Sequence, residues 1–83
     1  MGYKGKPFTR FSHARDREAE RGVSEQDIRD TLDSPDVEMP SRNHPGRRVL
    51  RKKLSKASEV GIVIVPPTKD GDPVRVVTVW KIS

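Results

Sequence analysis

Two apolar runs near the C-terminus, VGIVIV at residues 60–65 and RVVTVWKI at residues 75–82, constrain this chain more than any other feature. The first is almost continuously β-branched. It predicts a strand buried on both faces, the natural centre of a sheet. The second predicts the strand that returns beside it. Between them Pro66 to Pro73 contains Asp70-Gly71, a strong turn pair, in a loop too long for a two-residue turn. The whole chain is 31% hydrophobic and 35% charged, near the border where chains stop folding alone. Because its apolar residues concentrate in this last third, a folded sheet is expected rather than disorder. With 83 residues there is room for one domain, residues 1–83, whose thin core buries roughly 60% of the unfolded surface.

The stretch before the sheet reads as two short helices broken at Arg21-Gly22. Met1 to Arg10 is a basic lead-in interrupted by Gly2, Gly5 and Pro7, pinned through Phe8 and Phe11. Ser12 is a candidate N-cap for the first helix, which can bury only Phe11, Ala14 and Ala19. Gly22 supplies the left-handed C-terminal residue. The second helix has a stronger signature. Ser24 and Asp27 form a capping-box pair, Val23 can staple onto Ile28, and Ile28 and Leu32 make a buried stripe. Ser34-Pro35 stops it. Val37–Met39 is a short edge strand ended by Pro40, residues 41–46 form a loop, and Arg47 to Leu54 alternates well enough for another strand. The expected fold is therefore α+β, with two N-terminal helices (residues 12–34) on one face of a three- to four-stranded antiparallel sheet (residues 37–82).

Charge is unevenly distributed. Residues 1–21 carry six Lys/Arg and three acids, residues 22–40 one and six, residues 41–58 seven and none, within a net charge of +5. A basic block beside an acidic helix suits a polyanion on one side and a basic partner on the other. The chain has no cysteine, which removes disulfides and thiolate metal sites. His13 and His44 are the only strong nitrogen ligands, without metal-site spacing, so no metal or cofactor is expected. The sequence contains neither a phosphate-binding glycine loop nor an apolar run of membrane-helix length, and the start lacks a signal-peptide core. A soluble protein, made in the cytoplasm or cut from a larger chain, is the expectation.

Chemistry concentrates on the first helix, where His13, Arg17 and Arg21 at i, i+4 and i+8 share a face. RNA brings its own nucleophile, the 2′-hydroxyl. Cleavage then needs proton transfer, which imidazole suits, and phosphate stabilisation, which guanidinium suits. Arg47, Arg48, Arg51 and Lys52 could continue a phosphate track across the sheet. Thr78 and Trp80 share a face of the last strand, where a hydroxyl and a stacking ring could serve phosphate and base. Plainer readings stand beside these. His13 could be a surface residue, and Arg17 and Arg21 could pair with Asp16, Glu18 and Glu20. The basic run could be a solvated edge strand, Thr78 an ordinary strand residue and Trp80 a core residue.

The run His13-Ala14, Arg17, Arg21-Gly22-Val23-Ser24 and Ile28, with the later RRVLRKKL and VVTVW strands, resembles the small bacterial family called domain of unknown function 4258, across most of residues 11–81. Leu50 stands where that family often carries tyrosine. The resemblance implies a fold related to the RelE, barnase and colicin-tRNase group of metal-independent ribonuclease toxins. It implies His13, Arg17, Arg21 and Thr78 as functional positions, RNA (tRNA or mRNA) as substrate, and an acidic immunity protein or antitoxin as partner. A non-catalytic module that binds RNA or a toxin–antitoxin partner is the alternative, and a structural domain dimerising through its sheet edge is a third. Fold kinship alone does not decide among them.

Overall fold

In the computed structural model, which describes residues 3–69 and 71–82 and only the backbone of His13, the C-terminal apolar runs form adjacent antiparallel strands. In chain order the elements are β1 (Phe8–Arg10), α1 (Ser12–Arg21), α2 (Glu25–Asp33), β2 (Val37–Pro40), β3 (Arg48–Lys53), β4 (Glu59–Val65) and β5 (Val74–Ile82). The sheet order is β1-β5-β4-β3-β2, so the VGIVIV strand is central, as its composition requires.

Two features correct the sequence reading. The sheet has five strands, and it is mixed, because β1 runs parallel to β5 with Phe8, Thr9 and Arg10 opposite Val74, Arg75 and Val76. Part of the expected irregular lead-in is thus an edge strand. Three residues are too few for a visible alternation, and the Gly5 and Pro7 breakers ahead of them hide it. The lead-in is held down by Arg29 of α2, whose guanidinium donates to the Tyr3 and Lys6 carbonyls, pairs with Asp33 and stacks over the Phe8 ring. The second correction concerns α1. Ser12 is its first helical residue rather than its cap; Phe11 occupies the cap position without a side-chain bond. Phe11 and Ala19 are exposed and Ala14 is buried. Glu18 is buried in their stead, paired with Arg10 of β1 at 2.8 Å.

Helix α2 follows its sequence closely. Ser24 Oγ accepts from the Asp27 amide and Asp27 Oδ2 accepts from the Ser24 amide, each at 3.0 Å. Ile28, Thr31 and Leu32 are buried. Together with Ala14 and Val23 they cover Leu50, Val60, Ile62, Ile64, Val74, Val76 and Val79 on one face of the sheet. The register explains the pattern on β5. Val63 pairs with Thr78 and Ile64 with Val76, so Val77 is an extra residue, a bulge. Before the bulge the even-numbered residues Val74 and Val76 face the helices; after it the odd-numbered Val79 does. Thr78 and Trp80 are thereby turned to the opposite face, which neither helix covers. Asp70 of the expected turn pair lies outside the described residues, while Gly71 adopts φ 91°, as a tight reversal requires.

Candidate functional site

Helix α1 stops where Gly22 takes a left-handed conformation, φ 69° and ψ 26°, which leaves Arg21 at its last turn. From there Arg21 Nη1 donates to the Val79 carbonyl at 3.1 Å. Val79 lies between Thr78 and Trp80. Because β1 pairs only with Val74–Val76, this later part of β5 is hydrogen-bonded to β4 and to no further strand. One guanidinium nitrogen thus ties α1 to the stretch of β5 that carries both sheet residues singled out from sequence. Arg17, one turn back, donates to Glu20 at 2.8 Å while its side chain keeps 35% exposure, so its charge is partly answered by a carboxylate. His13 lies on the same helical face by spacing; its side chain is outside the described residues.

The basic strand is divided by the period-two alternation of a strand. Arg48 and Lys52 share the Leu50 side, the helix side, where Arg48 Nε donates to Glu38 Oε2 at 3.2 Å and Lys52 Nζ to the Ser34 carbonyl at 2.9 Å. Arg47 falls before β3, in the turn where its amide donates to the His44 carbonyl. Of the four predicted track residues only Arg51 shares the face of Thr78 and Trp80. Strand β4 separates β3 from β5, about 10 Å at the usual strand spacing. The single predicted site is therefore several places: Arg17 and Arg21 of α1 beside the Val79 backbone, Arg51 with Thr78 and Trp80 on the open face, and Arg48 with Lys52 beside α2 and β2.

The open face has a geometry of its own. Gly61 is opposite both Arg51 and Trp80, so the three form one row across β3, β4 and β5. A Cβ at Gly61 would lie 2.1 Å from Cε2 and Cζ2 of Trp80, so the indole lies across this glycine and only glycine admits it there. Arg51 Nε is buried with no hydrogen-bond partner among the described residues. Further along, Arg75 pairs with Val65 and helps line a cleft of about 290 Å³ with Pro66, Pro67, Thr68, Asp72 and Pro73. Sequence reasoning missed Gly61 and Arg75. A lone glycine inside the most apolar run was the available signal; nothing distinguished Arg75.

Shifted pKa values fall elsewhere. The Gly5 amide, and then Arg29, hold the Asp33 carboxyl below its ordinary range, and burial beside Glu38 raises the Tyr3 phenol. Both belong to the lead-in clamp. Among the described residues no group of three or more His, Asp or Glu is gathered to hold a metal, and no helix is long and apolar enough to cross a membrane.

One family model matches the chain, over residues 11–81, and its description is Domain of unknown function (DUF4258). No curated protein and no solved structure matches.

Proposed function

The chain belongs to the DUF4258 family, and from that premise we propose that it is a metal-independent endoribonuclease of toxin type that cleaves tRNA or mRNA. The 2′-hydroxyl attacks the adjacent phosphorus, the P–O5′ bond breaks, and the products are a 2′,3′-cyclic phosphate and a free 5′-hydroxyl. Two protons move, one off the 2′-oxygen and one onto the leaving 5′-oxygen, and His13 serves one of these transfers as general base or acid. Arg17 and Arg21 hold the negative charge of the pentavalent phosphate. Thr78 offers a hydroxyl to the RNA backbone from the open face of the sheet.

The observation that carries this reading is the Arg21–Val79 hydrogen bond, which holds the arginine end of α1 against the backbone of β5. A guanidinium has five donors, so the bond leaves Arg21 others for a phosphate. The test is Arg21→Ala, assayed on total tRNA and on a synthetic mRNA for cyclic-phosphate ends. Cleavage should fall about 100-fold or more, the usual effect of removing a transition-state donor, with the circular dichroism spectrum unchanged. A folded variant that cleaves as fast as the parent overturns the assignment.

A second reading, a non-catalytic RNA-binding module, is favoured by Arg51 and Trp80 sharing the open face, opposite the helix side of the sheet. It predicts salt-sensitive RNA affinity and no product over long incubation. An acidic antitoxin or immunity protein would be the partner in either case, recognised by the cationic surface it covers.

A further inference from the structure

We propose that the open face of the sheet is a binding track for single-stranded RNA, with an unpaired base stacked on Trp80 and phosphates at Arg51 and Arg75. This rests on the ribonuclease reading only in naming RNA as the ligand, and it narrows the substrate to unpaired segments. Three observations carry it.

First, Gly61 lacks the side chain that would exclude the indole, so the Trp80 ring closes onto β4 at this glycine, on the face opposite the helices. An indole on a face that neither helix covers can serve as a stacking platform, and every base has a face to lay on it. Secondly, the face is cationic where it matters. Its charged strand residues are Arg51, Lys53 and Arg75 against Glu59, which is opposite Lys53 at the far end, and Asp72 of the following loop shares the cleft of Arg75. Between the Trp80 and Arg75 rows lie Val49, Val63 and Thr78, with no acid. Thirdly, Arg51 Nε has no acceptor among the described residues, in contrast to Arg48 and Lys52 on the other side of the same strand, which donate to Glu38 and the Ser34 carbonyl. With no carboxylate partner among the described residues, the Arg51 guanidinium keeps its charge for a phosphate, which its terminal Nη donors would meet.

Duplex RNA hides its base faces within the stack and would meet this track only through its phosphates. A second copy of this chain would bring Arg51, Lys53 and Arg75 against their own kind. Like charges therefore favour a polyanion as occupant.

The chain has a single tryptophan, so fluorescence excited beyond the tyrosine absorption band reports on Trp80 alone. The probe is a mixed-sequence 2′-O-methyl RNA oligonucleotide, whose blocked nucleophile forbids cleavage, presented as a single strand and as a duplex. The single strand should quench Trp80 and bind at least tenfold more tightly than the duplex. Arg51→Gln should weaken binding several-fold and flatten its salt dependence. With a fluorescent oligonucleotide, Trp80→Leu should lose about tenfold or more in affinity. Arg51 lies outside the buried core, so its variant keeps the test decisive should Trp80→Leu fail to fold. Equal quenching by single strand and duplex, undiminished binding by folded Trp80→Leu, or concentration-dependent dimerisation that buries Trp80 would each overturn the proposal. Binding as described by a parent protein that leaves natural RNA intact would end the nuclease reading and leave this one standing; cleavage without quenching would do the reverse.

Discussion

The two helices reach the same sheet by opposite means. Helix α2 carries its own instructions: a reciprocal cap at Ser24 and Asp27, and Ile28, Thr31 and Leu32 buried beneath it. Helix α1 has no side-chain cap, buries one alanine, and adds a glutamate where a hydrophobe would be expected. It is held by polar ties to the sheet, Glu18 to Arg10 and Arg21 to the Val79 carbonyl. The contrast teaches that α2 stabilises the domain, whereas α1 is placed by it. A helix whose ties are polar and directional gives up stability in exchange for a defined orientation. That suits an element whose arginines are proposed to meet a phosphate.

The contrast can be broken from the α2 side first. Leu32→Ala should cost about 2–5 kcal/mol through a cavity under the sheet, a large share of the roughly 4–12 kcal/mol typical for this length. The measurement is the urea midpoint. A cost below 1 kcal/mol would show that α2 is not the stabilising helix. On the α1 side, Arg10→Met should cost on the order of 3 kcal/mol, because it leaves Glu18 buried without its cation; the arginine side chain is 21% exposed and the glutamate 10%, so screening is modest. The double variant Arg10→Met with Glu18→Leu should recover most of that loss, and failure to recover would mean that the pair is not what holds α1.

Smaller effects sharpen the picture. Ser24→Ala should cost about 1 kcal/mol, the usual value of an N-cap, with amide exchange rising first at Glu25 to Asp27. The smallest effect is a titration. Asp33 has its pKa lowered on folding, so its stabilisation is complete above the unfolded value near 3.9 and is lost as pH falls through the lower folded value. Acidification below about pH 4 should loosen the Gly5 amide before the α2 core, as read by proton exchange. Simultaneous loss at both would show that the clamp has no separate step.

These contrasts also decide what could be read from sequence. The capping box and the Ile28–Leu32 stripe are local signals at fixed spacing, and the structure reproduces them. The central strand was legible from the β-branching of residues 60–65. What sequence hid is non-local. The partner that makes Phe8–Arg10 a strand lies in β5. The bulge at Val77, which turns Thr78 and Trp80 away from the helices, depends on a register that no local pattern encodes. The alternation in Arg47–Leu54 was visible, but which side of it would face α2 was not. For that reason one imagined row of cations became two opposed faces. Buried Glu18 was invisible for the same cause, since its partner lies eight residues earlier in another element.

The parallel pairing of Phe8 with Val74 joins positions 66 residues apart. Loop closure over that span comes late in folding, because it returns little until the intervening strands are in place. On the ribosome the first strand emerges early and waits without a neighbour until the last one clears the exit tunnel. Through that interval the cationic opening segment is unpaired, and a domain of this design becomes whole only after its own synthesis has all but ended.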